Sequence, residues 1–324
     1  MKRILLASAI LLAFGVAMAQ TSVKVGYLHT LAVDGHLWTA IENGFFEEQG
    51  LEIEAIPFNS GVPLGQALAG GSVDVAVMGA VISNFPSRGV GKIFLVNNVE
   101  AGTAAIYAHA DSGIVEVSDL VAREISTTRG TTAHVLLAAA LQANGLSGDE
   151  AAIVNMDMAA AVTAFISGAV PAVSTWWPFT TQIELQVPDA VLVTSASDYY
   201  PEAAIMGGWV ANTAYYENNR DVLVGIAKAW LKANDLLENQ TDASLEYLAA
   251  EQYTNLTLED LQRGFEQLQT FQNDEWVTLY QDGSVERWIG QVEQLFVDIG
   301  ALDSFVEVSE FFDASVFLDA HGAQ

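Results

Sequence analysis

The sequence predicts an α/β protein of two similar lobes, each with a wound sheet flanked by helices. Three observations lead to this prediction. Apolar strands alternate with helical segments from Val23 onward, the alternation returns after Ile125, and a helix–glycine–strand pattern occurs once in each half. Strands that alternate with helices form mainly parallel sheets covered by those helices. We therefore expect one wound, mixed sheet in each lobe.

The elements of the first half follow from the spacing of apolar residues. Leu37, Ile41 and Phe45 fall on one face of a helix predicted from His36 to Gln49. Residues 51–56 alternate between apolar and other side chains, as in a strand with one buried face. The other predicted elements of this half are strands at 23–28, 73–78 and 93–96 and a helix at 63–69.

The second half repeats this arrangement. Gly71 and Gly168 lie 97 positions apart (168 − 71), and each stands between a predicted helix and an apolar strand. Glycine is the usual residue just after a helix end. Because the pattern occurs only twice, it indicates two lobes rather than a repeat array. The predicted elements here are strands at 125–127, 152–154 and 170–175 and helices at 131–145 and 159–166.

Two further strand-like stretches, 104–108 and 205–211, flank the second lobe and are natural crossings between the lobes. Beyond them, apolar residues recur at helical spacing, which predicts helices that pack the core. The predicted division is a signal peptide at 1–19, the first part of lobe 1 at 20–104, lobe 2 at 105–204, and the return of lobe 1 with C-terminal helices at 205–324.

The N-terminus has the features of a cleaved secretory signal. Lys2 and Arg3 precede a short apolar run, and Ala17-Met18-Ala19 is a typical cleavage site. The run is too short to span a bilayer comfortably. No cysteine follows the cleavage site to carry a lipid. We therefore expect a soluble protein exported to the periplasm.

Composition excludes several classes of function. The chain has no cysteine, so disulfides, thiol catalysis and cysteine-ligated zinc are excluded. Its net charge of −28 makes nucleic acid and anionic lipid poor partners. The spacings of the histidines match no usual metal-ligand pattern, and no nucleophile elbow, P-loop or dinucleotide fingerprint occurs. The sequence predicts neither catalytic residues nor a cofactor nor a metal site.

One turn has the chemistry of an anion-binding site. Residues 126–134, Ser-Thr-Thr-Arg-Gly-Thr-Thr-Ala-His, join a predicted strand to a strongly helix-forming segment. Unpaired N–H groups and the positive end of the dipole at a helix N-terminus attract anions. Arg129 adds a cation with a planar fork of donors. An ordinary helix cap with a solvated arginine is the alternative.

The chain resembles the periplasmic substrate-binding proteins of the taurine, alkanesulfonate and nitrate ABC importers. The likeness runs from about Val23 to past Leu268 and rests on the order and spacing of several motifs. These motifs are the 40–51 stretch AIENGFFEEQGL, the Ser60-Gly61 turn, the 67–74 stretch ALAGGSVD, the 129–134 turn RGTTAH, and the 176–179 stretch WWPF. The resemblance implies the two-lobed periplasmic binding protein fold of type II, with two crossover strands.

The resemblance also implies where a ligand is held. In wound sheets, ligands lie at the carboxyl ends of the strands, and the matching turns follow predicted strands. The implied ligand-binding residues are His29, Thr30, Asn59, Ser60, Gly79, Ala80, Val81, Arg129, Thr131, Thr132, His134, Trp176, Trp177, Gly207 and Trp209. The implied partners are a small-molecule ligand and the transmembrane subunits of an ABC permease, and we expect a monomer.

Two departures from the family pattern bear on the ligand. Gly207 stands where taurine binders carry an Asp suited to an ammonium group, and Trp177 stands where relatives often have Asp. A buried ammonium without a partner is costly. These departures predict that taurine binds less tightly than a sulfonate without a free amine, unless Asp198 or Glu202 reaches the site.

The resulting functional hypothesis is a receptor for a small organosulfonate, either taurine-like or an alkanesulfonate. Nitrate, a quaternary ammonium compound held by aromatic rings, and a pyrimidine precursor remain open as ligands. A different class of function, a lyase or dehydratase on the same bilobal fold, is disfavoured because no convincing acid/base pair occurs.

Overall fold

Two five-stranded sheets organise the chain, which the computed structural model describes over residues 20–148 and 150–323. The predicted signal peptide at 1–19 lies outside the described residues. The first sheet has the order β2-β1-β3-β10-β4 and the second the order β7-β6-β8-β5-β9. Their strands are β1 (Thr21–Leu28), β2 (Leu51–Phe58), β3 (Val75–Met78), β4 (Gly91–Val99), β5 (Ala104–Ala108), β6 (Glu124–Thr127), β7 (Ala152–Asn155), β8 (Ala172–Trp176), β9 (Val191–Ser195) and β10 (Met206–Asn212).

Both sheets are mixed in the same way. In the first sheet β1 runs parallel to β2 and β3, and β10 runs antiparallel between β3 and β4. In the second sheet β6 runs parallel to β7 and β8, and β5 runs antiparallel between β8 and β9. The predicted class, α/β with a mixed, wound sheet in each lobe, is confirmed by this topology.

Helices cover both sheets. They are α1 (Leu31–Glu42), α2 (Gly61–Ala69), α3 (Asn84–Ser87), α4 (Thr132–Ala143), α5 (Met158–Ile166), α6 (Phe179–Gln186), α7 (Thr213–Asn218), α8 (Arg220–Asn239), α9 (Thr241–Glu251), α10 (Leu258–Glu266), α11 (Asn273–Gln281), α12 (Ser284–Asp298) and α13 (Ser315–His321). Among the described residues, no helix is both long enough and apolar enough to cross a bilayer.

The first helix differs from the sequence-based expectation. It begins at Leu31 rather than His36, because Thr30 in extended conformation ends the turn after β1. It ends at Glu42 rather than Gln49. The Asn43 side chain donates to the Thr39 carbonyl at 2.8 Å, and Gly44 follows in the left-handed region with φ 70°. Residues 47–49 then form a separate 3₁₀ turn.

The two predicted crossover strands each belong to one sheet. β5 lies in the second sheet and β10 in the first, so the chain passes between the lobes in the segments 100–103 and 196–205. The strand β9, which precedes the second crossing, was not predicted. It lies at the edge of its sheet and only Thr194 of its residues is buried, so its apolar pattern is weak.

Candidate functional site: the interlobe cleft

A small pocket lies where the two lobes face each other. It encloses about 350 Å³ of empty space, its opening included. The lobes are in contact here, because the Ala80 N–H donates to Thr132 Oγ1 at 3.3 Å. The pocket is lined by Leu28, Thr30, Val33, Gly61, Gly79, Val81, Glu100, Thr131, Thr132 and Trp176.

Three α-helices begin at this pocket. Thr30 precedes α1, Gly61 is the first residue of α2, and Thr131 precedes α4. In the described structure, none of the three N-cap side chains hydrogen-bonds to its own helix. The Thr131 hydroxyl instead donates to the Thr128 carbonyl at 2.7 Å. First-turn N–H groups are thus left uncapped at the pocket, together with the positive ends of three helix dipoles.

Gly79, which follows β3 in the first lobe, lies close to Glu100 of the first crossing and to Thr132 of the second lobe. A Cβ there would lie 2.8 Å from Glu100 Oε1 and 2.8 Å from Thr132 Oγ1. Such contacts are shorter than Cβ atoms make, so a side chain at position 79 would displace the Glu100 carboxyl and the Thr132 hydroxyl. The same distances place the Glu100 carboxylate and the Thr132 hydroxyl close to each other, next to the position that a Cβ of residue 79 would occupy.

Glu100 is the feature of this pocket that sequence reasoning missed. Its residue is 4% exposed, and within the described residues its Oε1 has no hydrogen-bond partner. Oε2 accepts from the Thr103 hydroxyl at 3.4 Å, and its backbone N–H donates to the Ile205 carbonyl at 2.7 Å. Burial raises the pKa of the Glu100 carboxyl to about 7, and the hydroxyls of Thr103 and Thr132 oppose this shift.

The position of Glu100 follows a rule that could have found it. Glu100 comes directly after β4, which is parallel to β1 and β3 because β10 runs antiparallel to both β3 and β4. The same edge carries His29 and Gly79, which were predicted for that reason. Leu28 and Val33 also line the pocket without having been predicted, and Gly61 lines it as part of the turn 59–61 that was expected to contact the ligand.

The structure brings about half of the predicted ligand residues together. Thr30, Gly79, Val81, Thr131, Thr132 and Trp176 line the pocket. Ala80 reaches it through its bond to Thr132, Ser60 precedes the lining residue Gly61, and the Cβ position of Gly207 lies 3.8 Å from the Gly79 Cα. The other six predicted residues neither line the pocket nor belong to these neighbours of the lining: His29, Asn59, Arg129, His134, Trp177 and Trp209.

His134 and Arg129 hold the turn rather than face the pocket. His134 Nδ1 accepts from the Gly130 N–H at 3.0 Å, so this nitrogen carries no proton. Burial, together with the charge of Arg129, lowers the pKa of His134 to about 4. Arg129 is exposed, and its backbone N–H donates to Asn155 Oδ1 at 2.9 Å. The expected arginine contact with the anion is therefore not part of this arrangement.

His29 points toward the helices of the first lobe. Its Nδ1–H donates to Asp34 Oδ2 at 2.7 Å, and its ring stacks on Tyr253 with centroids 4.4 Å apart. The Tyr253 hydroxyl donates to the other oxygen of Asp34. Asp34 is fully buried, so these bonds make His29 part of a structural cluster.

Two of the three predicted tryptophans pack inside the protein. Trp209 is fully buried in the middle of the first sheet, and its Nε1–H donates to Asn97 Oδ1 at 2.6 Å. Trp177 is 2% exposed and packs with the apolar side chains of α8, α9 and α10. Its backbone N–H donates to the Thr103 carbonyl at 2.8 Å, beside the first crossing. Trp176 alone of the three remains on the pocket wall.

Chemically, the pocket combines uncapped helix ends, hydroxyls, one aromatic face and one acid. Of the ten lining residues, Glu100 alone has an acidic or basic side chain. Across residues 20–148 and 150–323, no three His, Asp or Glu side chains are grouped to hold a metal ion. A single carboxyl without a second acid or base suits binding better than proton transfer in both directions.

The profile of the NMT1/THI5-like family matches residues 35–243 of the chain. The chain belongs to this family. A binding protein of Brucella abortus is 27% identical to this chain over 319 residues, which are 98% of each protein. The taurine-binding periplasmic protein of Escherichia coli is 25% identical over 194 residues, which are 59% of each chain.

Solved structures show the fold that this NMT1/THI5-like chain shares. The periplasmic aliphatic sulphonate binding protein of Escherichia coli matches with a TM-score of 0.71 and 19% identity, over 90% of this chain and 91% of that one. The periplasmic nitrate-binding protein of Synechocystis matches with a TM-score of 0.74 and 15% identity, over 94% and 89%. A desulfurization enzyme matches with a TM-score of 0.64 and 14% identity, over 94% and 99%. The fold is that of the periplasmic binding proteins.

Proposed function

We propose that this protein is the periplasmic solute receptor of an ABC importer, and that it binds a small organosulfonate in the interlobe cleft. The observation that carries the proposal is the meeting of three uncapped helix N-termini at one pocket between two lobes. Such ends bind sulfonate or phosphate oxygens through backbone N–H groups without a basic side chain. The relative named for taurine binding supports the choice of a sulfonate.

The charge of the pocket favours this ligand class over nitrate. A bare anion would meet the Glu100 carboxyl with no basic side chain on the lining to offset it. A sulfonate on a short chain can keep its anionic oxygens at the helix ends and place its uncharged chain nearer the carboxyl. Trp176 offers an aromatic face to such a chain.

Binding without turnover is the expected activity. The single acid of the pocket has no basic partner on the lining, and acid/base catalysis generally needs a group that takes a proton and one that returns it. A small ligand is instead enclosed by the lobes and handed to the permease. The predicted signal peptide and the periplasmic relatives support a periplasmic location.

A ligand screen tests the proposal. The purified protein is heated with taurine, 1-propanesulfonate, nitrate, choline and an aminopyrimidine, because a ligand that binds the native state raises the melting temperature. We expect at least one sulfonate to raise it and to be recovered unchanged after prolonged incubation. If nitrate or choline alone raises the melting temperature, the sulfonate assignment is wrong; a converted product would identify an enzyme.

A further inference from the structure

We propose that Glu100 selects a ligand that carries an amine, so that the solute is an aminosulfonate whose N–H groups are held by this carboxylate. The sulfonate half of this inference rests on the proposed function. The amine half rests on Glu100 and its surroundings alone. It reverses the expectation, drawn from Gly207, that taurine binds less tightly than a sulfonate without a free amine; Asp198 and Glu202 do not line the pocket.

The first argument is the unpaired oxygen. Glu100 is 4% exposed, and its Oε1 lacks a hydrogen-bond partner in the part of the chain that the structure describes. Buried polar atoms without partners are rare, because each costs the free energy of its lost hydration. Oε1 lies beside Gly79 and Thr132, both of which line the pocket. A donor on the ligand would satisfy this atom.

The second argument is charge. The lining carries no basic side chain, and the whole chain has a net charge of −28. No side chain of the pocket wall therefore neutralises an ionised Glu100. A protonated amine does so directly, and charge-assisted hydrogen bonds of this kind are stronger than neutral ones. Burial raises the pKa of Glu100 to about 7, and a cation bound beside the carboxyl would lower that pKa and favour the ionised form.

The third argument separates amines from quaternary ammonium groups. Oε1 requires an N–H or O–H donor, and a quaternary nitrogen offers none. Trp176 is the single aromatic side chain on the lining, so the residues that the structure describes there do not form an aromatic cage. The site thus favours primary or secondary amines over fully methylated ones.

The structure also supplies a matched control. Glu293, in α12, is fully buried, and its Oε1 accepts from the Val306 N–H at 2.9 Å. Its Oε2 lacks a partner within the described residues, and burial raises its pKa to about 7 as well. Glu293 does not line the pocket. Glu293→Gln therefore makes the same chemical change in a similar environment without touching the ligand.

Calorimetric titration tests the inference with two isosteric probes, taurine and 1-propanesulfonate, which differ by an ammonium in place of a methyl group. We expect the wild-type protein and Glu293→Gln to bind taurine at least about tenfold more tightly than 1-propanesulfonate. Glu100→Gln should lose most of this preference, with little change for 1-propanesulfonate. If 1-propanesulfonate binds wild-type protein as tightly as taurine, the inference is overturned and the sulfonate receptor stands.

A second measurement does not depend on the variant folding. An amine that pairs with Glu100 stabilises the ionised carboxylate, so taurine binding near pH 7 should release protons. Calorimetric titration of the wild-type protein in two buffers of different ionisation enthalpy measures the number of protons released for each taurine bound. Proton uptake on taurine binding overturns the role of Glu100, because an amine that pairs with a carboxylate cannot raise the pKa of that carboxyl.

Propylamine separates this inference from the proposed function. If propylamine binds the wild-type protein while no sulfonate does, the sulfonate receptor is wrong and the amine role of Glu100 is supported. If trimethylated taurine binds better than taurine, the preference for N–H donors is wrong. If none of these probes binds, both proposals are wrong.

Discussion

Thr132 of the second lobe accepts a hydrogen bond from the Ala80 N–H of the first lobe at 3.3 Å, and this bond closes the cleft. Thr132 is also the first residue of α4, so the same hydroxyl lies at a helix end that faces the pocket. One side chain thereby links lobe closure with the proposed anion site.

Replacing Thr132 by valine should weaken ligand binding while leaving the fold intact. The variant keeps the side chain's shape but removes the acceptor for the Ala80 N–H, a change worth about 1–2 kcal/mol, or roughly five- to thirty-fold in the dissociation constant. Calorimetry with the ligand found in the screen measures this. Thr163→Val, on the exposed face of α5, is the control. Equal affinities of the two variants would mean that Thr132 contributes nothing to the bound state.

Ligand binding should make the molecule more compact in solution. The lobes are joined by the segments 100–103 and 196–205, and the structure has a nearly closed cleft. Short paired connections between rigid lobes are typical of hinge closure. Small-angle scattering should give a larger radius of gyration without ligand than with it. An unchanged radius with a ligand known to be bound would contradict hinge closure.

Truncating Arg129 should have little effect on affinity, contrary to what the turn sequence suggests. Arg129 is exposed and outside the pocket lining, so Arg129→Ala should change the dissociation constant by less than about threefold. The variant should instead raise the pKa of His134 from about 4, since the Arg129 charge helps to lower it. NMR titration of the imidazole follows this shift. A loss of affinity of about tenfold or more would restore Arg129 to the anion site.

Two tryptophan variants should separate stability from binding. Trp209→Phe removes a core contact and the bond to Asn97, which should lower the free energy of unfolding by about 1–3 kcal/mol without changing affinity. Trp176→Phe, on the pocket wall, should weaken binding with a smaller loss of stability. Urea denaturation and calorimetry measure the two quantities. The opposite pattern would place Trp209 at the ligand.

Ionisation of Glu100 should cost the unliganded protein stability as pH rises from about 4.5 to about 7, whereas His36 and His134, whose pKa burial lowers to about 4, contribute in the opposite direction. The pKa of Glu100 is about 7 in the folded state against an ordinary value of 4.5, so the folded state binds a proton that the unfolded state releases. The contribution of Glu100 to the free energy of unfolding is up to about 3 kcal/mol. It is fully present below pH 4.5 and is lost as the pH rises through 7. Thr103 and Thr132 are the side chains that bear on this pKa, and neither is charged.

Urea denaturation across this pH range checks the prediction. Glu100→Gln cannot titrate, so its stability should fall less steeply with pH than that of the wild-type protein. Glu293 should also lower the free energy of unfolding as pH rises, because burial raises its pKa to about 7 as well. Glu293→Gln should therefore also flatten the curve. Identical pH dependence in wild-type protein and Glu100→Gln would show that Glu100 ionises normally.

Local patterns predicted the strands and helices well. The alternation of residues 51–56 became β2, and the paired glycines Gly71 and Gly168 each follow a helix, with φ values of 68° and 75°. Helix ends were less accurate, because the Asn43 side chain and Thr30 conformation that set the limits of α1 leave little trace in apolar spacing.

The turn at residues 126–134 shows how far sequence reasoning reaches into the site. The sequence determined that this turn joins a strand to a helix and that Thr131 and Thr132 stand at its N-terminus. It did not determine that His134 would accept the Gly130 N–H, or that Arg129 would stay in solvent. Those outcomes depend on how the side chains pack against the neighbouring strand.

Glu100 was decided by the tertiary structure alone. In the sequence it stands in Asn97-Asn98-Val99-Glu100-Ala101-Gly102, a polar stretch typical of an exposed connection. Its burial arises because this connection runs between two lobes and bonds to Ile205 of the other crossing. The sequence by itself determined two similar α/β halves and several of the turns at which helices begin. Which acid lies between them depends on a contact between residues 105 positions apart (205 − 100), and no local pattern records such a contact.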